Sequence, residues 1–284
     1  MQELAHFIGR PIGPKEAYDV AALNVRCAQG LRCAENLDEG RLISWVDQAA
    51  RPVMFNTRRH WYRFNENPGF YKNSPGYFCC YFLLQTLQED FGVRYNPARI
   101  IDKSFQDPNC IKPDFSDSRD LFIHGLIDGP GGTCCSMPVL YVAVGRRLGY
   151  PLKLVQTREH LFFRWDDPEG KCFGIPDVVN IEGTGNGIGS HDDDYYRTWP
   201  APWSDIEKAE GWYLKSLTPL QELASFLENR GHCLTDNHRL IEAMEAFAWA
   251  AQVCPDDKRY KILLARTERE YMIQHEGIEH TLVS

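Results

Sequence analysis

The stretch GGTCCSMPVLYVAVGRRLGYP, Gly131–Pro151, joins two glycines and two adjacent cysteines to an apolar run. The run is typical of a buried helix, and Gly149 together with Pro151 ends it. Pro138 has no amide hydrogen and clashes with the preceding turn deep inside a helix, so the helix begins no earlier than about Cys134. Both cysteines are therefore predicted to lie in its first turn.

A cysteine in a first helical turn is well placed for nucleophilic chemistry. The helix dipole and the free main-chain N–H groups favour the thiolate, and the same groups can hold an oxyanion. Gly131 and Gly132 leave room for a substrate backbone. Cys134 is the candidate nucleophile, and Cys135 is interpreted as a packing residue or a spare thiol. A structural role stays open, because free cysteines are commonly buried.

A nucleophilic thiol needs a base, and His160 begins the strand-like segment HLFFRW. The later segment VVNIE ends in Glu182, with Asn180 on the same face of the strand. Antiparallel pairing of the two segments sets Glu182 opposite His160, where its carboxylate orients the imidazole. Asn180 is the alternative orienting group. His124, just upstream of the glycines, is a candidate for oxyanion support or an ordinary loop histidine.

The rest of the pattern predicts helices at both ends of the chain around a small sheet. Helices are expected over 15–30, over 38–50 and from Ser74 to Gly92, with a loop from Arg94 to Pro130. Three strands over 152–157, 160–165 and 178–182 suggest an antiparallel meander. The predicted divisions are a helical region 1–93, a catalytic core 94–215 and a helical region 216–284.

The C-terminal region begins with Thr218-Pro219-Leu220-Gln221, a capping box with proline at the first helical position. Small and apolar residues then follow the offsets of one tetratricopeptide-type helix pair, although Arg230 stands where an apolar residue is expected. One such pair cannot form a free-standing solenoid, so we expect it to dock on the rest of the chain and to offer a surface for a protein partner.

Composition narrows the class of function. The formal charge of the 284-residue chain is -8, and no Lys/Arg block stands out, which disfavours nucleic acid and anionic membranes. No segment is apolar enough to span a bilayer, and no signal peptide begins the chain, so a cytoplasmic protein is expected. The ten cysteines include no Cys-x-x-Cys, and the glycines of 183–194 fit no phosphate cradle. No metal or other cofactor is predicted.

These segments together resemble the transglutaminase-like superfamily, a papain-like group of cysteine enzymes. Gly132, Cys134 and the Leu-Gly-Tyr-Pro that ends at Pro151 match the family pattern, and His160 matches its base. Glu182 stands where the family has aspartate, which is a departure. The likeness is greatest to bacterial proteins with a helical N-terminal region and tetratricopeptide-like C-terminal helices, some of which lack the cysteine.

The resemblance implies an α+β fold in which a cysteine-bearing helix packs on an antiparallel sheet. It implies acyl transfer from a protein or peptide substrate through a thioester on Cys134, as in a peptidase, a deamidase or a transglutaminase. Two alternatives remain: a degenerate fold that acts as a protein-interaction module, and a redox switch in which Cys134 and Cys135 form a strained vicinal disulfide.

Overall fold

The computed structural model describes Phe7, residues 19–100 and residues 114–276. The predicted helix over 15–30 and the predicted loop over 94–130 therefore lie partly outside the described residues. The helices are α1 (Val20–Ala28), α2 (Glu39–Arg59), α3 (Trp61–Glu66), α4 (Pro75–Gln85), α5 (Ser118–Leu121), α6 (His124–Asp128), α7 (Met137–Arg147), α8 (Asp193–Tyr196), α9 (Asp205–Glu210), α10 (Pro219–Asp236), α11 (Leu240–Val253) and α12 (Lys258–Glu276). The strands are β1 (Leu152–Thr157), β2 (His160–Asp167) and β3 (Asp177–Ile181).

The three strands form one antiparallel sheet in the order β1-β2-β3, which confirms the predicted meander and the α+β class. Alternation along β2 divides its side chains between two apolar clusters. Phe163 and Trp165 join the main cluster, against which α4 and α7 pack. Phe162 points to the other face and joins a smaller cluster with Val155 and Tyr196.

Local signals explain where the N-terminal helices begin and end. Ser74 accepts a hydrogen bond from the Tyr77 N–H and caps α4. Helix α2 continues to Arg59, so the expected end near residue 50 is wrong. Pro52 lies inside it and removes one main-chain hydrogen bond. The buried face of α2 nevertheless continues through Val53 at helical spacing, which favours an unbroken helix.

The C-terminal helices dock on the N-terminal region, as expected. Both bonds of the Thr218–Gln221 capping box are present. Gly231 lies so close to Phe247 that an added Cβ would come within 2.5 Å of its ring, which explains the small residue where α10 and α11 meet. The unexpected Arg230 donates to the carbonyls of Cys27 and Gln29, which are left free at the end of α1.

One buried apolar cluster extends from Val20 to Tyr260 and includes residues of all three predicted regions. The predicted boundaries at 93 and 215 stay predictions, because this shared core marks no division there. Among the helices that the structure describes, none is long and apolar enough to cross a membrane.

Candidate active site

The two cysteines lie in a turn that leads into α7. Ser136 and Met137 both donate their main-chain N–H to the Thr133 carbonyl, and α7 begins at Met137. The prediction that the cysteines occupy the first helical turn is therefore wrong. The turn before the helix takes that place, and Pro138 stands in the first turn, where a missing N–H does no harm.

Asp120 holds this turn in place from a distance in the sequence. Its carbonyl accepts hydrogen bonds from the hydroxyls of Thr133 (2.7 Å) and Ser136 (3.1 Å). Its fully buried carboxylate accepts from the Asn96 side-chain amide at 2.8 Å and from Arg99 Nε at 2.5 Å. Asp120 thus joins the cysteine turn to residues 96–99, a connection that no sequence motif indicated.

The two glycines leave no room for a substrate, contrary to expectation. A Cβ on Gly131, whose φ is +129°, would meet the Arg94 carbonyl at 2.7 Å. A Cβ on Gly132 would lie 2.4 Å from the Ser136 hydroxyl. The space beside both glycines is occupied by the protein's own chain, so these residues are small in order to permit tight packing around the cysteine turn.

The Cys134 thiol lies in a buried environment at the start of β2, although the residue as a whole is partly exposed. Its contact with the Cys135 thiol is the largest cause that raises the pKa of Cys134, followed by burial and by the negative charge of Glu182. The main-chain N–H of Leu161 opposes these effects but does not outweigh them. The pKa is therefore well above its ordinary value, whereas the helix-dipole argument predicted a thiolate.

His160 and Glu182 meet in a short hydrogen bond. His160 Nε2 lies 2.7 Å from Glu182 Oε2, and both side chains are largely buried, with exposed fractions of 4% and 13%. Burial alone would raise the pKa of Glu182. The charge and hydrogen bond of His160, together with Thr184, outweigh it and lower that pKa. The carboxyl is therefore ionised at neutral pH, and His160 is its partner.

The strand register differs from the predicted one without breaking this pair. Phe163 pairs with Ile181, so the next step along β3 brings Glu182 beside Phe162 rather than opposite His160. The difference is two residues, and side chains two residues apart share a face of the sheet. The Glu182 side chain therefore still reaches the imidazole.

Neighbouring side chains fix the positions of the two partners. The Thr184 main-chain N–H donates to Glu182 Oε1 at 3.1 Å, and the Tyr196 hydroxyl lies 3.4 Å from Oε2. The Trp199 ring meets the His160 ring edge to face at a centroid distance of 4.7 Å. Tyr196 and Trp199 therefore form one wall of the site.

Two predicted site residues lie elsewhere. The Asn180 side chain accepts from Arg164 Nε at 2.6 Å and donates to Asp193 at 2.8 Å, so its amide bonds do not reach the imidazole. The ring of His124 lies 3.2 Å from the Ser118 hydroxyl, and burial lowers its pKa to about 4. Neither residue has a hydrogen bond to Cys134 or His160 in the described ranges.

The three principal residues converge, but one contact is missing. Cys134 reaches the start of β2 through the Leu161 N–H, and its thiol feels the charge of Glu182. In the part of the chain that the structure describes, no hydrogen bond joins the Cys134 thiol to the imidazole of His160. Cys134, His160 and Glu182 therefore lie close together, whereas Asn180, the alternative orienting group, lies outside the site.

An open cleft of about 770 Å³ lies beside this site, along the outer part of β2 and β3. Lys72, Arg164 and Asp193 line it, together with Tyr195. The Tyr195 ring lies 5.3 Å from the Trp199 ring, which in turn touches His160. The cleft is therefore separated from the imidazole by aromatic side chains. Within residues 19–100 and 114–276, no cluster of metal-ligating side chains was found.

Comparison with known proteins gives a short similarity. The chain is 33% identical over 75 residues to F-box only protein 21 of Mus musculus, and 32% identical over 75 residues to that of Homo sapiens. The matched segment is 26% of this chain but spans only 12% of the length of these relatives. No protein-family model and no solved structure matches the chain.

Proposed function

We propose that this chain is a papain-like cysteine acyltransferase or amide hydrolase that acts on a protein or peptide substrate. The observation that carries the proposal is the buried 2.7 Å bond between His160 Nε2 and Glu182 Oε2, at the point of β2 where the Cys134 thiol lies. A nucleophile, a base and a group that orients the base are the parts that acyl transfer through a thioester needs.

The raised pKa of Cys134 determines how the reaction begins. The resting thiol is protonated at neutral pH, so His160 acts as a general base when the substrate carbonyl approaches. The Glu182 carboxylate stabilises the imidazolium that forms, and His160 then protonates the leaving amine. Water as acceptor gives hydrolysis and an amine gives a transglutaminase reaction; we favour hydrolysis, because no site for an acceptor amine is recognisable among the residues that the structure describes.

Acylation by p-nitrophenyl acetate tests the proposal without knowledge of the natural substrate. We expect release of one equivalent of p-nitrophenolate per chain, with the acetyl group located on Cys134 by peptide mass mapping. Cys134→Ala should abolish this burst. The exposed Cys172 provides an internal reference for ordinary thiol reactivity. Acetylation of Cys134 no faster than that of Cys172 contradicts the proposal.

A second candidate is a protein-interaction module, favoured by an exposed surface that the C-terminal part of α2 and the start of α3 form. Thirteen residues from Arg51 to Arg63 contain four arginines and no acid, although the chain as a whole is acidic. Phe55 is 60% exposed and Tyr62 is 51% exposed on this surface. Arginine and aromatic residues are enriched at protein interfaces. The net charge of the whole chain is negative and therefore gave no indication of this locally basic surface.

One comparison separates the two functions. If Cys134→Ala leaves the cellular phenotype of the protein unchanged while Phe55→Glu abolishes it, the interaction function replaces the enzymatic one. The opposite pattern supports acyl transfer. Circular dichroism of both variants checks that each one folds.

A further inference from the structure

The C-terminal half of α2 presents basic and apolar side chains on its solvent-facing side. Its buried residues, among them Val53 and Thr57, lie on the opposite side at helical spacing. We call the exposed set the arginine stripe; its members are Arg51, Met54, Phe55, Arg58 and Arg59. The stripe is about 12 Å long, at a rise of about 1.5 Å for each helical residue.

The arginines of the stripe have no anionic partner. Among the residues that the structure describes, no ion pair or hydrogen bond involves the side chain of Arg51, Arg58 or Arg59. The acid one turn before the stripe is Asp47, and it pairs with Arg147 of α7 at 2.9 Å. Three positive charges therefore face solvent beside the exposed ring of Phe55.

A second exposed helix face in the same protein has a different pattern. In α12, Ile262 is 59% exposed, but residues 266–270, RTERE, alternate arginine with glutamate. Opposite charges at three- and four-residue spacing stabilise a solvated helix. The stripe has no acid of this kind. The negative end of the helix dipole favours Arg58 and Arg59 in the last turn of α2, but it explains neither Arg51 nor the exposed Phe55.

This combination of charge and apolar surface fits an acidic protein segment. A guanidinium binds a carboxylate through two parallel N–H donors. Aromatic and arginine side chains are also the residues that contribute most to protein interfaces. A nucleic acid or an anionic membrane would extend past the stripe to the rest of the chain, whose formal net charge is -8, and would be repelled there. A short acidic segment contacts only the stripe.

The stripe lies away from the candidate active site. Thr57 of α2 accepts a hydrogen bond from the Tyr150 hydroxyl, beyond the end of α7, whereas Cys134 precedes the start of that helix. The 11 residues of α7 place about 16 Å between its two ends. A segment bound to the stripe therefore does not cover the cysteine turn.

We propose that the arginine stripe binds an acidic segment of a partner protein, with carboxylates on its arginines and an apolar side chain on Phe55. This inference rests on the second function proposed above, protein interaction, and assigns the chemistry of the partner. It does not depend on acyl transfer.

Selection from a phage-displayed library of random peptides, with the full chain as bait, tests that chemistry. Peptides of about 12 residues are long enough, as helices, to cover the stripe. We expect recovered peptides to combine several Asp or Glu residues with an aromatic or aliphatic one. The affinity of a synthetic recovered peptide, measured by fluorescence anisotropy, should fall by about 10-fold or more in Phe55→Ala and in Arg58→Gln.

Ile262→Ala and Arg269→Gln in α12 are the matched controls, and both should keep the wild-type affinity. Acylation of Cys134 should be unchanged in all four variants. If stripe-dependent peptides lack acids, or bind Arg58→Gln as tightly as the wild type, the inference is overturned while the interaction function stands. If no recovered peptide loses affinity in Phe55→Ala, both are overturned. Binding to phosphatidylserine vesicles that Arg58→Gln abolishes, without any such peptide, would identify a membrane as the occupant instead.

Discussion

The chain contains two pairs of adjacent cysteines, and the structure gives them different chemistry. Cys79 and Cys80 lie within α4, in the main apolar cluster, and both are buried. Cys134 and Cys135 lie in a turn and are partly exposed. Burial is the largest cause of the raised pKa at Cys79, which reaches about 12, whereas at Cys134 the largest cause is the neighbouring thiol.

The difference shows that a cysteine dipeptide has no fixed role. In α4 the thiols lie in the main apolar cluster, where burial dominates, although the Tyr150 hydroxyl contacts the Cys79 thiol. At the turn, the main-chain N–H of Leu161 and the charge of Glu182 act on one sulfur, and that glutamate is bonded to the imidazole of His160. A polar environment lets a neighbour change the protonation state of the thiol, and this is the requirement for a nucleophile.

Removal of the candidate base, His160, should make Cys134 as unreactive as the cysteines of α4. His160→Gln keeps a hydrogen-bond donor for Glu182 but cannot accept the thiol proton. We expect acylation of Cys134 by p-nitrophenyl acetate to fall by about 10²–10⁴-fold, the usual contribution of a general base. Asn180→Ala is the control and should have little effect. Equal losses in the two variants would mean that Asn180 orients the imidazole after all.

His124 resembles the cysteines of α4 in that burial is the largest cause of its pKa shift. Burial lowers the pKa of His124 to about 4. An unfolded histidine titrates near 6.5, so the unfolded chain binds the extra proton first. The free energy of unfolding should therefore fall by up to about 3 kcal/mol as the pH drops from 6.5 to 4. Above pH 6.5 the full stability should be present. Urea unfolding at several pH values measures this. A His124→Gln variant with the wild-type pH slope would disprove it.

Serine substitution should lower the free energy of unfolding by different amounts in the two cysteine pairs. Cys80→Ser puts a hydroxyl into an apolar helix interior and should lower the free energy of unfolding by about 1–3 kcal/mol, without loss of Cys134 acylation. Cys135→Ser, at a partly exposed position, should change stability less. Urea unfolding of both variants provides the comparison. A larger loss of unfolding free energy in Cys135→Ser than in Cys80→Ser would show that the cysteine turn has a structural role rather than a catalytic one.

The smallest effect concerns the protonation of Cys134. Cys135→Ala removes the largest cause of its raised pKa, so the pH profile of its alkylation by iodoacetamide should move to lower pH. Cys80→Ala, which alters the other pair, should not move it. Peptide mapping separates Cys134 from the remaining thiols. A profile that stays in place in Cys135→Ala would show that burial, as in α4, governs this thiol too.

Sequence alone predicted what depends on periodicity and on local signals. The meander, the capping box at Thr218 and the pairing of His160 with Glu182 follow from alternation and turn residues. Alternation determines the face of a strand but not its register, so the register was two residues out. The role of Asp120 depends on contacts between distant loops, for which the sequence offers no spacing signal.

The most direct test of the central claim is a crystal structure of the protein after reaction with iodoacetamide at alkaline pH. The account predicts a carboxamidomethyl group on Cys134 Sγ, with the His160 ring beside it and Glu182 still bonded to Nε2. Modification of Cys172 with Cys134 left intact, or an imidazole that faces away from the sulfur, would contradict it.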